Sequence, residues 1–190
     1  MKGMQPVAMP PALVAFTAGL DELASKNFPA QEVTTFLQVA RFEKELLEPY
    51  SFFSEKRYTR NLLHRRPEYE ILLLCWMPNQ ASPIHGHEGE KCWMRVEAGE
   101  LHFTDYESRE DGGRSLVEAR HSATGGPGFV DGPAVIHRVA NETNLPAMSL
   151  HLYARPFTQC DVFDRESKSK KKVELSYDSM HGQLTNTVLF

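Results

Sequence analysis

The chain has 190 residues, 41% of them hydrophobic and 24% charged, which is typical of one globular domain with a sizeable core. Its 21 basic and 25 acidic residues give a net charge of −4, so there is no basic surplus for binding nucleic acid or an anionic membrane. No apolar run approaches the roughly 20 residues that span a bilayer, and the N-terminal stretch lacks the apolar core of a secretory signal.

The first part of the sequence predicts helices. Apolar residues recur every three or four positions from Leu13 to Leu23, which is the spacing of one buried helix face, and Pro29 ends the pattern. A second apolar face over 31–50 predicts one or two further helices. We therefore expect a helical part, about 1–55, within a single domain that spans 1–190.

From Tyr58 onward the apolar residues follow a period of two, which predicts β-strands over about 56–180. Short strands separated by Gly and Pro turns are typical of a β-sandwich or barrel. The charged run Lys168–Lys172 is interpreted as a solvated hairpin turn rather than a binding patch. The expected strand regions are 69–76, two strands around a turn at Gly99 within 91–106, short strands within 121–141, 147–157 and 170–178.

Two histidines that are two residues apart are the first candidates for a metal site. His85 and His87 lie on one face of a strand, because side chains alternate with a period of two, so both imidazoles can reach one ion. A third candidate, His137, follows a predicted turn at Gly132–Pro133. Three neutral imidazoles leave the full charge of a divalent metal for a substrate anion such as a thiolate. Iron(II) and zinc both fit this ligand type.

The spacing of these histidines resembles the two sequence signatures of the cupins, which are double-sheet β-barrels of the jelly-roll type with the metal inside. A cupin normally has glutamate at the position of Cys92, and this chain has no carboxylate there. The matching positions are His85, His87, Cys92 and Gly99 in the first signature and Gly128, Pro133, His137 and Asn141 in the second.

Longer stretches resemble the thiol dioxygenases, and among them the cysteine dioxygenase family. The matching stretches are YTRNLL (58–63), ILLLCW (71–76), SPIHGHEGEKCWMRVEAGEL (82–101), VIHRVANET (135–143) and SLHLYARPFTQCDVFD (149–164). The resemblance implies a mainly β cupin jelly-roll barrel with an N-terminal group of helices. It implies an iron(II) enzyme that converts L-cysteine and O2 to cysteine sulfinic acid. We expect a cytoplasmic monomer whose partners are a small thiol and O2, without nucleic acid or membrane.

The same resemblance implies how the metal and the substrate are held. His85, His87 and His137 resemble the family's iron ligands. Arg60 resembles the arginine that clamps the substrate carboxylate, a task that suits a fixed guanidinium fork. Tyr58 resembles the tyrosine beside that arginine.

A further set of matching residues implies a proton relay and a crosslink. Alternation along 147–157 places Ser149, His151 and Tyr153 on one strand face, and these three resemble the family's Ser-His-Tyr relay. Cys92 and Tyr153 resemble the pair that forms a thioether crosslink in some members. We therefore expect Cys92 to face Tyr153 within the barrel rather than to bind the metal.

The remaining chemical side chains receive simpler interpretations. The chain has only three cysteines, which argues against a disulfide framework and favours a reducing compartment. Cys75 is predicted to be a core residue, Trp76 a core residue in preference to a pocket wall, and Cys160 an exposed thiol near the barrel mouth. Arg155 stands where many relatives have proline, so we expect a second cation near the pocket wall.

Other functions stay open at this point. A dioxygenase for 3-mercaptopropionate is the nearest alternative, although such enzymes usually carry Gln at the position of Arg60 and lack the counterpart of Cys92. Cysteamine has no carboxylate for Arg60 to bind. A non-catalytic cupin that senses or stores a small ligand would not need the aligned Ser149, His151 and Tyr153. A zinc isomerase or hydrolase would need a carboxylate base in the pocket, and the sequence identifies none.

Overall fold

Helices come first and strands follow in the computed structural model, which describes residues 9–108 and 116–185, without the side chains of 108–121. The first helix begins at Pro11, where the missing proline N–H is tolerated because the first turn leaves its amides unpaired. The predicted helices are confirmed. Within the described ranges no helix is long and apolar enough to cross a membrane. The helical elements are α1 (Pro11–Ser25), α2 (Ala30–Val39), α3 (Lys44–Leu47) and a 3₁₀ turn (Glu48–Tyr50).

The strands form two sheets. The larger sheet has the order β13-β12-β1-β2-β9-β4-β7, and the smaller has the order β11-β10-β3-β8-β5-β6. The expected double-sheet cupin barrel is confirmed. The strands are β1 (Thr59–Arg65), β2 (Glu70–Trp76), β3 (Ile84–Gly86), β4 (Lys91–Ala98), β5 (Leu101–Ser108), β6 (Leu116–Gly125), β7 (Val130–Ala134), β8 (Ile136–Ala140), β9 (Ala147–Ala154), β10 (Gln159–Asp164), β11 (Ser169–Glu174), β12 (Ser179–Met180) and β13 (Gln183–Leu184).

The larger sheet is buried on both faces, which explains the apolar run in β2. One set of alternating residues packs against the helices, and the other packs against the smaller sheet inside the barrel. Cys75 belongs to the helix-side core and Trp76 to the barrel interior, so both are core residues as predicted. Full burial of an aliphatic side chain stabilises the fold by about 2 kcal/mol, so two apolar layers on one sheet provide much of the stability.

Two local predictions are corrected. Gly132 and Pro133 do not form the predicted turn, because both lie inside β7, where they are joined by a cis peptide bond. The chain bends at Val135 instead, between β7 and β8. The basic run is exposed as expected, but the hairpin turn lies at 165–168, so Lys170 and Lys172 belong to β11, in agreement with the strand predicted over 170–178, and both pair with Asp161 of β10.

The predicted turn at Gly99 is confirmed and carries the chain from the larger sheet to the smaller one, because β4 and β5 belong to different sheets. Gly99 has a φ of +71°, which L residues with a side chain rarely adopt. A Cβ atom there would lie 2.6 Å from the carbonyl oxygen of Pro146 and 2.8 Å from Ala147 Cα. Glycine is therefore required at this crossing both for its backbone angle and for its small size.

Replacing Gly99 by Ala is expected to lower the free energy of unfolding by about 3 kcal/mol, because it adds a backbone clash to the cost of a positive φ. Gly128→Ala is the matched control: Gly128 has a φ of +88°, but no described atom lies within 4 Å of an added Cβ. The control should lose only about 1 kcal/mol. Urea unfolding of both variants measures the difference, and equal losses would contradict this account of Gly99.

Candidate metal centre and substrate pocket

The three candidate histidines come together inside the barrel. His85 lies on β3, His87 follows directly after that strand, and His137 lies opposite His85 on β8. Their ring centroids are 4.6–5.1 Å apart, and the Nε2 atoms of His85 and His137 are separated by 3.2 Å. One ligand nitrogen from each of the three rings lies within 4.8 Å of the other two. This spacing allows all three imidazoles to bind one ion.

Hydrogen bonds and burial prepare these rings to bind a metal. The Nδ1 atoms of His85 and His87 face the carbonyl oxygens of Pro83 (3.0 Å) and Val135 (3.2 Å), so Nδ1 carries the proton and Nε2 is free to coordinate. Among the described residues, the buried His87 Nε2 has no hydrogen-bond partner, which fits a metal ligand. Burial lowers the pKa of His85 to about 4, so its imidazole is neutral at neutral pH.

A hydrogen-bonded chain runs along the interior face of β9. The Oγ of Ser149 lies 2.8 Å from His151 Nε2, and the hydroxyl of Tyr153 lies 3.4 Å from His151 Nδ1. The indole N–H of Trp76, which can only donate, donates to Ser149 Oγ at 2.9 Å. The Ser149 hydroxyl can then donate to Nε2, and the Nδ1 proton faces the Tyr153 oxygen. Burial lowers the pKa of His151 well below its ordinary value, which keeps this ring neutral.

Cys92 faces Tyr153 rather than the histidines. The two residues are directly opposite in the β4–β9 pairing and both point into the barrel. Opposite residues of an antiparallel pair have Cβ atoms about 5 Å apart, so thiol and phenol are neighbours. Burial raises the pKa of the Cys92 thiol well above its ordinary value. In the described part of the chain, Cys92 is not in the group of ligand atoms formed by the three histidines.

Arg60 offers unused hydrogen-bond donors in the same interior. Arg60 as a residue is 8% exposed, and its Cζ atom lies 5.8 Å from the centre of the Tyr153 ring. Within the part of the chain that the structure describes, Arg60 Nε and Nη2 have no hydrogen-bond partner. Buried donors without a partner are costly, so they indicate a site for an anion. Tyr58 stacks on Trp76 at a centroid distance of 4.5 Å and forms part of the same wall.

Two expectations for the pocket wall are wrong. Cys160 is 3% exposed rather than an exposed thiol, because β10 turns it inward, where the Arg60 charge opposes the rise in thiol pKa caused by burial. Arg155 does not add a second cation to the pocket. It follows the end of β9 with a φ of +122°, is exposed, and lines a separate cavity with Asn27 and Lys91.

The sequence analysis missed carboxylates in the barrel. Glu70 is completely buried at the start of β2, directly opposite Tyr153 of β9, and accepts a hydrogen bond from the Tyr177 hydroxyl. Its period-two spacing from Leu72 and Leu74 was the available signal. Asp105 and Asp131 have oxygens that form a second compact group with His137, and a nearby carboxylate helps to orient an imidazole ligand. Only the sheet pairing brings these residues together.

A two-sheet barrel around a three-histidine group defines a cupin with a candidate metal site. Comparison with known proteins specifies the family, because residues 3–166 match the family described as cysteine dioxygenase type I. The chain belongs to that family. Membership indicates a dioxygenase, which uses O2 and a small-molecule substrate.

Curated relatives extend over most of the chain. The chain is 28% identical to cysteine dioxygenase type 1 of Rattus norvegicus over 163 residues, which cover 84% of this chain and 82% of the relative. It is 29% identical to the Homo sapiens protein of the same name over 166 residues, with the same coverage. The Danio rerio protein is 27% identical over 171 residues, covering 85% of this chain and 83% of the relative.

Replacing His137 by Ala is expected to weaken metal binding by more than roughly 100-fold, since it removes one of three ligands. The metal content of iron(II)-treated, dialysed protein measures this effect. Metal addition to chelator-stripped protein should raise the melting temperature of the wild type and not that of the variant.

His102→Ala is the control for the metal test. His102 lies on β5 of the same sheet, where it hydrogen-bonds to Ser122 and Thr124 outside the three-histidine group. This variant should keep wild-type metal content. Full metal retention by His137→Ala would rule out the three-histidine site.

Proposed function

We propose that the protein is an iron(II)-dependent cysteine dioxygenase that adds both atoms of O2 to the sulfur of L-cysteine and forms cysteine sulfinic acid. The observation that carries the proposal is the buried Arg60 guanidinium, with unused donors, in the same barrel as His85, His87 and His137. Iron(II), when held by these three histidines, would supply the redox chemistry. The relatives named cysteine dioxygenase support the same substrate.

Substrate binding in this proposal depends on charge. Arg60 binds the carboxylate of L-cysteine with two parallel hydrogen bonds, which orients the amino acid so that its sulfur points toward the histidines. Tyr58, held by its stacking on Trp76, closes the pocket beside Arg60. The three neutral imidazoles add no negative charge, so the centre favours the ionised form of the substrate thiol.

Proton handling is assigned to the residues of β9. Ser149 and His151 hold the Tyr153 hydroxyl in position, and the Trp76 N–H fixes Ser149 in turn. A covalent bond between Cys92 Sγ and a carbon of the Tyr153 ring would make the phenol rigid and pre-position its hydroxyl. The opposite register of Cys92 and Tyr153 supports this crosslink.

The setting of the enzyme is also part of the proposal. Cys75, Cys92 and Cys160 are all unpaired and buried, which supports a reducing, cytoplasmic compartment. We propose one domain over 1–190, because the helices share a hydrophobic core with the larger sheet, and we propose that the chain acts as a monomer.

Arg60→Gln is expected to lower kcat/KM for L-cysteine by about 100-fold, since it removes the charge that binds the substrate carboxylate. Oxygen consumption with product mass measures this, with 3-mercaptopropionate and cysteamine as comparison substrates. Arg66→Gln is the control, because Arg66 is an exposed arginine paired with Asp21. Unchanged cysteine turnover by Arg60→Gln, or a wild-type preference for 3-mercaptopropionate, would contradict the proposed substrate.

The crosslink predicts a change in mass. After incubation with iron(II), cysteine and O2, part of the wild-type protein should become lighter by two hydrogen atoms, because the thiol and one ring carbon each lose one hydrogen and O2 is the oxidant. Cys92→Ser should keep its full mass, and Cys75→Ser, which alters a cysteine on the helix side of the sheet, should still lose the two atoms. Peptide mass spectrometry locates the bond, and a joined pair other than Cys92 and Tyr153 would refute the assignment.

A further inference from the structure

Glu70 is a buried carboxylate that the proposed mechanism does not use. It lies on the interior face of β2, in register with Tyr153, and its side chain is completely shielded from solvent. One oxygen, Oε2, accepts a hydrogen bond from Tyr177 and lies 3.8 Å from Arg65 Nε. The other oxygen, Oε1, has no hydrogen-bond partner in the described ranges. A carboxylate in such a position needs a physical explanation.

The charged and titratable groups around Glu70 come from each element packed against it. Arg60 and Arg65 contribute positive charge from β1, Tyr153 faces it from β9, and Tyr177 contacts it from the segment after β11. Burial raises the pKa of the Glu70 carboxyl above its ordinary value, while the Tyr177 hydrogen bond and the two arginine charges act in the opposite direction. Glu70 is in register with Tyr153, and Arg60 Cζ lies 5.8 Å from the centre of the Tyr153 ring, so the Arg60 charge, together with Arg65 and the Tyr177 hydrogen bond, favours the ionised form of Glu70.

We propose that Glu70 takes up a proton from solvent when a substrate carboxylate binds to Arg60, and that Glu70 thereby sets the affinity of the pocket for carboxylate thiols. The inference rests on the proposed function, because it assumes that Arg60 binds the substrate carboxylate. The incoming carboxylate neutralises Arg60 and adds a second negative charge to the pocket. Two carboxylates in one dry site cannot both stay ionised without a large cost.

The chemistry of this step is a single proton transfer. The proton comes from the buffer and binds to a carboxylate oxygen of Glu70, and no bond of the substrate breaks. Oε1 is the oxygen that is free to take the proton, since Oε2 already accepts from Tyr177. Because Glu70 gains a proton on binding, its contribution to affinity is favourable at low pH and is lost as the pH rises above its pKa in the empty pocket.

Glu70 thus acts on the substrate through Arg60 as a specificity residue. When ionised, Glu70 competes with the substrate carboxylate for the Arg60 charge. Removing its charge should tighten the binding of any monocarboxylate thiol. Such a change would alter the number of protons taken up on binding as well as the affinity. Loss of a residue with a purely structural role would not alter that number.

The test is calorimetric titration of iron(II)-loaded protein with L-cysteine in the absence of O2, at neutral pH, in two buffers with different ionisation enthalpies. The wild type should take up more protons per cysteine bound than Glu70→Gln, because ionisation of the substrate thiol contributes equally to both proteins. Glu70→Gln should bind L-cysteine about tenfold more tightly, because the repulsion between the two carboxylates is gone.

Glu97→Gln is the matched control. Glu97 is a half-buried residue whose side chain is only 4% exposed; its Oε1 lies 3.1 Å from Arg95 Nη1, and burial raises the pKa of its carboxyl to about 7. Arg95 lies over Phe42 on the helix side of the same sheet, away from the pocket. This variant should keep the proton count and the affinity of the wild type.

Tyr177→Phe provides a second variant in case Glu70→Gln does not fold. Loss of the hydrogen bond to Glu70 should raise the pKa of Glu70 in the empty pocket, so proton uptake falls and affinity rises, each by less than in Glu70→Gln. Equal proton counts and affinities in the wild type and these variants would overturn the role of Glu70 and leave the proposed function standing. If L-cysteine does not bind to the wild type, the proposed function fails and this inference fails with it.

Discussion

Polar atoms buried without partners are the constraint around which this barrel is built. Each such atom costs about 1–3 kcal/mol, and His87 Nε2, Arg60 Nε and Nη2, and Glu70 Oε1 are all in this state within the described part of the chain. The cost is offset by apolar burial on both faces of the larger sheet, where helices cover one side and the smaller sheet covers the other. Stability gained away from the pocket thus maintains a pocket whose polar groups are ready for ligands.

Burial away from solvent also determines which side chains inside the barrel are charged. Burial keeps the three histidines and His151 neutral and keeps the Cys92 thiol protonated, so Arg60 is the interior cation that burial does not discharge. A divalent metal would add its whole charge to this interior, because the position of the usual cupin carboxylate is occupied by Cys92. Glu70 is a carboxyl group on a different strand, β2, where burial raises its pKa and the charges of Arg60 and Arg65 act in the opposite direction.

The two rows of side chains in the larger sheet have separate tasks. One row joins Glu70, Tyr153 and Cys92 across β2, β9 and β4. A neighbouring set on the same face forms the hydrogen bonds that hold the Tyr153 hydroxyl in place. This set consists of Trp76, Ser149 and His151. Because the sheet fixes the register of all these residues, a shift of any one strand would separate them.

Features that depend on local periodicity could be predicted before the fold was known. The 3.6-residue pattern gave the helices before Tyr50, and the period of two gave the strands and the shared face of Ser149, His151 and Tyr153. Motif spacing brought His85, His87 and His137 into one hypothesis before any contact was known. The strand features depend only on the alternation of side-chain direction along the chain, which is the same in every sheet.

The packing of the two sheets determines which strands become neighbours and which side chains turn inward. It buried Cys160, turned Arg155 out of the pocket, and placed Glu70 opposite Tyr153 although 83 positions separate them in the sequence. It also tied Trp76 to Ser149, a contact that a core prediction does not contain. The physical reason is that pairing between distant strands is set by the packing of whole sheets, while a local pattern defines only two faces and cannot say what each face meets.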